Sequence, residues 1–437
     1  MLREPLLFVA TSDIAGKVRG KAFPAARLGE RAARGVGWTP TNVQITCFDA
    51  IAESPYGALG DLLLVPDPEA RFEIDLGGRA PPRDFALGDI LELDGTPWEC
   101  CTRSILKSAL ARLERVAGVR LRAAFEHEFQ LKGPARPRGD AYSMAGFEAR
   151  RAFGEAVMGA IDAAGYQSDT FMREYGADQY EVTVAPEIGV RAADAAVVLR
   201  ELVRAAALEL GEDATFTPIR DPAGVGNGVH VHASFVDASG EPVTHDPGGP
   251  HGMSALTGAF VAGVLAHLES IVAFTAPSVI SYARLTPHRW SAAFNNLGLR
   301  DREAAVRLCP VTERHAQSAA RQYNFEYRAA DAAASPYLAL AAIVHAGAQG
   351  VEDGLPPPEV TAQDLSRLEP SALAARGLVR LPTSLAAALD RLEASPTARA
   401  WFPGRFCDIY VAHKRHEIAL VEAMAESARY VAYEEVY

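Results

Sequence analysis

A period of two runs through residues 121–131, where Leu121, Ala123, Phe125, Phe129 and Leu131 alternate with polar positions. This alternation predicts a strand with one packed face, and it sets Glu126 and Glu128 together on the other face. Three more segments repeat the arrangement. Gln179, Glu181 and Thr183 lie opposite Tyr180, Val182 and Val184, with Glu174 seven residues before Glu181. His230, His232 and Ser234 lie opposite Val229, Val231, Ala233 and Phe235, and Glu326 and Arg328 lie opposite Phe325 and Tyr327. One such strand equally describes a half-solvated edge. Four of them, each with carboxylate, imidazole or guanidinium on one side, predict a curved sheet whose concave face is a polar, metal-bearing site.

Around these strands the pattern predicts a β-rich N-terminal part. The first apolar stretch ends at Asp13, too short for the hydrophobic core of a signal peptide, and reads as a strand. A glycine- and base-rich turn is expected from Asp13 to Lys21, and short strands over Ile45–Phe48, Asp61–Pro66 and Arg71–Asp75. Segments Leu91–Leu93 and Gly95–Trp98 close this unit. Helical spacing of Ile105, Leu106, Ala109, Leu110 and Leu113 starts a larger domain, which puts the domains at 1–102 and 103–437. Further helices are expected over 144–164, 194–209, 384–392 and 408–428, and from Pro336 through about His345. The apolar region 254–283 is interrupted by His267, Glu269 and Pro277, which predicts a buried helix and turn rather than a membrane span.

Composition narrows the function classes. The 437 residues carry 43 basic and 55 acidic side chains, a formal charge of −12, so no net attraction to nucleic acid or an anionic membrane is expected. Five cysteines, odd in number and without CxxC spacing, suit reduced thiols in a cytoplasmic protein. The glycine-rich segment 221–228 lacks the Gly-Lys-Ser or Gly-Lys-Thr of a P-loop. His245, His251, His267, His288 and His345 read as surface or packing residues rather than ligands.

The chemistry-bearing residues form a series: Glu126-x-Glu128, Glu174 with Gln179-x-Glu181, Gly226-x-Gly228-x-His230-x-His232-x-Ser234, Asn324-x-Glu326-x-Arg328, and Asp331 followed by Ser335-Pro336-Tyr337-Leu338. In order and spacing this series resembles the glutamine synthetase family over almost the whole chain, and within it the glutamate–amine ligases that form γ-glutamylamides. The resemblance implies an α+β fold with an N-terminal β-grasp domain and a catalytic domain built on a curved antiparallel sheet. It implies that Glu128, Glu174 and Glu181 hold one divalent ion and Glu126, His230 and Glu326 a second. Oxygen ligands with one imidazole suit Mg2+ or Mn2+ on nucleotide phosphates. Arg302 and Arg307, five residues apart, would face the phosphate being transferred, and Arg284 and Arg328 the acidic substrate and the reaction centre. His232, Ser234 and Asn324 would lie on the ATP side, and Thr215-Phe216 in the turn before it.

The departures from the family pattern concern the amine. Trp290 stands six residues after Arg284, where the family closes a flap with glutamate. An indole can pack against carbon but can neither stabilise a cationic adduct nor accept its proton. The aspartate followed by Gly-Ser-Ser that helps bind ammonium is missing, with only Cys47-Phe48-Asp49-Ala50 nearby, and Val225, Asn324 and Ser335 are further exchanges. The expected activity is therefore ATP-dependent joining of glutamate, or a related acid, to a small organic amine through an acyl phosphate. Ammonia-dependent glutamine synthesis, an inactive oligomeric homologue and a phosphotransferase without ligation are the alternatives. The family also implies a homododecamer of two hexameric rings, with active sites completed by the neighbour's N-terminal domain.

Overall fold

The computed structural model describes residues 3–78, 80–133, 139–312, 314 and 319–437. Two sheets carry the architecture, one of five strands and one of ten. The first comprises β1 (Leu6–Ser12), β2 (Val18–Pro24), β3 (Val36–Trp38), β4 (Leu62–Ile74) and β5 (Arg83–Leu91), in the order β2-β1-β5-β4-β3. All pairs are antiparallel except β1 with β5. Several local expectations change here. The stretch Asp13–Lys21 is a turn only to Lys17 and continues as β2, an edge strand whose exposed, basic residues conceal any apolar period. Ile45–Phe48 makes a single bridge, Ile45 to Ile51, after a 3-10 turn over Pro40–Gln44. Asp61–Pro66 and Arg71–Asp75 belong to one strand, β4, whose register against β5 shifts between Pro66 and Arg71. Proline cannot donate to the ladder, so Pro66 and Pro68 favour such a break.

The second sheet contains β6 (Arg120–Lys132), β7 (Ser168–Arg173), β8 (Gln179–Val184), β9 (Glu187–Ile188), β10 (Asp213–Thr215), β11 (Val229–Val236), β12 (Leu297–Leu299), β13 (Val306–Leu308), β14 (Phe325–Tyr327) and β15 (Val360–Thr361). Its order is β15-β12-β13-β14-β11-β6-β8-β7, with β9 and β10 also pairing β6. The strands bearing the acids and histidines are thus adjacent and antiparallel. The expected antiparallel sheet holds through the strands that bear the site and gives way to parallel pairing at one edge, where β12 pairs β13 and β15.

Helices cover the apolar side. Val190–Glu209 and Pro336–Glu352 are buried on nearly every face, which marks internal helices and explains why both outrun their expected lengths. The C-terminal helix is two, Phe406–Glu422 and Glu426–Val436. No single helix among the described residues is long and apolar enough to cross a membrane, and the pair Ala255–Ala266 and Leu268–Thr275 is bent by 79°. At the junction of the two sheets, Arg103 is 1% exposed and donates to Asp194 at 3.0 and 2.9 Å and to Asp67 of β4 at 2.9 Å. Tyr337 donates to the same Asp194 at 2.7 Å, so one buried guanidinium ties together β4 and three helices.

Candidate active site

Strand register determines which groups meet. Glu126 of β6 pairs His230 of β11, Glu128 pairs Glu181 of β8, His232 pairs Glu326 of β14, and Arg307 of β13 pairs Glu326 from the other side. Side chains at paired positions project from the same face, so these five strands deliver their polar groups into one concavity. His230 Nδ1 lies 2.8 Å from Glu126 Oε1 and 3.5 Å from Glu326 Oε1, and His232 Nε2 lies 3.3 Å from Glu126 Oε2. Glu174 lies on the loop between β7 and β8, fixed by hydrogen bonds to its Oε2 from the Tyr142 hydroxyl and the Tyr175 N–H, both 2.8 Å.

Three overlapping groups bring ligand atoms within 4.8 Å of one another: Glu128, Glu174 and Glu181; Glu126, Glu181 and His230; and Glu126, His232 and Glu326. Their electrostatics show where positive charge is lacking. Burial, then the charges of Glu126 and Glu128, pushes Glu181 up to about 10. Burial, then the Glu174 charge, pushes Glu128 up to about 8. Glu326 goes the other way, to about 2, because His230 when protonated and the permanent charge of Arg328 outweigh the cost of its burial. Burial and the Arg328 charge lower His230, which favours the neutral imidazole that can ligate a metal. Carboxylates held protonated in the absence of a cation, beside a neutral imidazole, fit a divalent-ion site of hard oxygen ligands.

The glycine segment before β11 allows the close approach. Gln179 Nε2 donates to the Gly226 carbonyl and to Asn227 Oδ1 at 2.9 Å each, and a Cβ on Gly226 would fall 2.6 Å from Arg284 Cδ. Arg284 is thereby 3% exposed, donating to Ser291 Oγ at 3.0 Å and to the Ala330 carbonyl. Arg328 pairs with Glu326 and donates to the carbonyls of Arg302 and Trp290, both at 3.1 Å. Arg307 donates to Glu326 Oε2 at 2.7 Å, whereas the Arg302 side chain is exposed. Trp290 is 57% exposed at the rim of a small cleft that it shares with Glu128, Glu174 and Arg284.

A larger cavity of about 460 Å3 opens beside Glu126, lined by His232, Ser234, Asn324 and Arg122 among others. His232 Nδ1 lies 3.0 Å from Asn324 Oδ1. Thr215 and Phe216 do not line it. Both are fully buried, with Phe216 against Phe129 at 5.4 Å and its N–H donated to the Tyr437 carbonyl at 3.0 Å. The short β10 pairs the end of β6, and it leads these two residues into the apolar core.

Four groups escaped the sequence reading. Arg122 shares the β6 face with Glu126, and extending the period of two by two residues beyond Ala124 would have found it. Cys309 lies 3.7 Å from both Glu326 Oε2 and His232 Nδ1, two positions after Arg307. Tyr142 and Glu303 come from loops, where no periodicity exists to signal them. Glu303 accepts the N–H of His288 at 3.1 Å and of Trp290 at 3.3 Å, two residues in left-handed backbone at φ 62° and 53°.

Comparison with known proteins agrees with this geometry. Residues 99–433 match the glutamine synthetase catalytic domain and residues 4–98 the glutamine synthetase N-terminal domain. The chain belongs to the glutamine synthetase family of ATP-dependent carbon–nitrogen ligases. It is 34% identical over 440 residues to the gamma-glutamylpolyamine synthetase GlnA3 of Streptomyces coelicolor, covering 97% of this chain and 92% of the relative. A crystal structure described as a novel glutamine synthase homolog superposes with a TM-score of 0.92 at 41% identity, covering 100% of this chain and 99% of that one. Ligand-free GmaS superposes with a TM-score of 0.82 at 25% identity, covering 96% and 94%.

Proposed function

We propose that this protein is an ATP-dependent ligase that joins the γ-carboxyl of glutamate, or a closely related acid, to an organic amine, giving a γ-glutamyl amide by way of an acyl phosphate. The observation that carries the amine is Trp290. An exposed indole lines the same cleft as Glu128, Glu174 and Arg284, where ammonia chemistry calls for a carboxylate. The name of the Streptomyces relative supports the same product class.

Glu128, Glu174 and Glu181 are the residues to hold one Mg2+ or Mn2+, and Glu126, His230 and Glu326 a second, with ATP entering along the cavity bounded by His232, Ser234 and Asn324. The ions supply charge neutralisation for phosphoryl transfer when bound. The chain supplies the rest. Arg284 and Arg328 present buried guanidinium forks for the acid and the reaction centre, and Arg302 and Arg307 are assigned to the phosphoryl group in transfer. Tyr142 and the Tyr175 N–H hold Glu174 in place as a ligand at the edge of the cleft that Trp290 lines.

Assembly into a homododecamer of paired rings, with N-terminal domains completing neighbouring sites, follows from the family; light scattering of the purified protein tests it, and a monomer active across assay concentrations rejects it. Five free, buried cysteines suit the cytoplasm. The activity itself is tested by supplying ATP, Mg2+ and glutamate with a panel of small amines, measuring ADP release together with the condensed product by mass spectrometry. Amide formation favouring an organic amine supports the reading, and product from ammonia with no amine exceeding it rejects the specificity.

A further inference from the structure

We propose that Tyr175 and Trp290 form a cation-binding port that grips the organic part of an alkylammonium ion at the mouth of the amine cleft. The inference rests on the amide-ligase reading above and assigns Tyr175 a part in it. The cleft bounded by Glu128, Glu174, Arg284, Tyr175 and Trp290 has a volume of about 30 Å3. That suffices for an ammonium head and little more, since a single water needs roughly 10–15 Å3 by such a measure. Any carbon chain on the amine therefore lies outside, against whatever forms the mouth.

Two large aromatic side chains form it, and both face solvent: Tyr175 is 62% and Trp290 57% exposed. Their ring centroids are 6.3 Å apart with planes inclined at 50°, an open wedge rather than a stack. An ammonium head seated in the cleft that both rings line can lie within the roughly 6 Å over which an aromatic ring attracts positive charge, while the attached methylenes emerge between the rings and contact both. Exposed aromatics commonly fold down onto a surface, but the backbones of these two are anchored. The Tyr175 N–H is donated to Glu174 Oε2 at 2.8 Å. Trp290 occupies left-handed backbone at φ 53°, unfavourable for a bulky residue, and is held there from both sides. Its N–H goes to Glu303 at 3.3 Å, and its carbonyl accepts from Arg328 at 3.1 Å. The port is thus fixed at one end to a candidate metal ligand and at the other to an arginine of the reaction centre.

Calorimetric titration of n-butylammonium chloride into the full-length protein with Mg2+, ADP and glutamate tests this, with ammonium chloride and n-butanol as comparators. The wild type should bind n-butylammonium more tightly than either comparator. Tyr175→Ala should weaken that binding about threefold to thirtyfold, the range of one cation–aromatic contact, and Tyr175→Phe should retain it within about twofold. Unchanged binding by Tyr175→Ala, equal binding of n-butanol, or no binding by the wild type overturns the port. Amide formation by the wild type is scored separately. Binding through Tyr175 without amide product removes the ligase reading alone, and amide product with binding indifferent to Tyr175 removes the port alone.

Discussion

Arg307 and Glu326 face each other in register across β13 and β14, and the Arg307 Nη1 donates to Glu326 Oε2 at 2.7 Å. An arginine expected to face phosphate is therefore also a partner of a candidate metal ligand. Arg307→Ala should lower the single-turnover rate of ADP formation at least roughly tenfold, because it removes charge opposite the departing phosphate and loosens Glu326. Arg328 remains on Glu326, so the variant should fold. Arg307→Lys keeps the charge without the fork and should recover only part of the rate. An unchanged rate in rapid-quench measurements would deny Arg307 this role.

Glu181 groups with Glu128 and Glu174 and also with Glu126 and His230, so Glu181→Gln should remove a ligand from the first divalent ion and disturb the neighbours of the second, weakening the first more. Its metal-free form should melt no lower than the wild type, since the amide replaces an acid whose charge is disfavoured there by burial and by Glu126 and Glu128. Titration with Mn2+ followed by electron paramagnetic resonance, alongside melts with and without metal, checks both statements. Tight binding of two ions by the variant would displace Glu181 from the site.

Trp290→Glu restores the carboxylate that ammonia chemistry uses. It should raise kcat/KM for ammonia relative to an organic amine by an order of magnitude or more, roughly what one buried methylene and one cation–aromatic contact together contribute. Steady-state kinetics with ATP and glutamate saturating give the ratio. A ratio that stays put would mean that selection of the amine lies elsewhere.

His345 is buried between Arg112 and Trp401, and burial, then the Arg112 charge, pulls its pKa down to about 3. The folded value lies below the unfolded one near 6.5, so its contribution is present in full above pH 6.5 and is lost as the pH falls toward 3. At pH 5 the loss is about 2 kcal/mol. His345→Gln should flatten the fall in stability between pH 6.5 and 4. His413, lowered to about 4, keeps some slope in the variant. Denaturant melts across this range measure it, and parallel curves for wild type and variant would exclude His345 as a source.

The concave face was legible because strands leave a period of two and the face needs acids in it. Glu126, Glu128, Glu181, His230 and Glu326 all sit on strands, and alternation alone assigns them one side. Glu174 lies on a loop and was reached through family spacing. Tyr142, Tyr175 and Glu303 also lie on loops at the site, where side-chain direction is set by turns and hydrogen bonds that leave no repeat. Thr215 and Phe216 show the converse: a motif-like spacing whose residues the fold takes into the core. In the N-terminal domain the edge strand β2 and the interrupted β4 were misjudged, because exposure removes the apolar period and proline shifts the register.

The register of β6 divides what this enzyme can change from what it must keep. Inserting one residue just after Phe125 would turn His127 toward the concavity and both Glu126 and Glu128 toward the apolar side, so core and chemistry would be lost in one event. The segments bearing Tyr175 and Trp290 carry no such burden, since both lie between strands and are tied down by a few hydrogen bonds. New amines can therefore be explored by exchanging rim residues one at a time, while the acids of the concave face tolerate almost no drift.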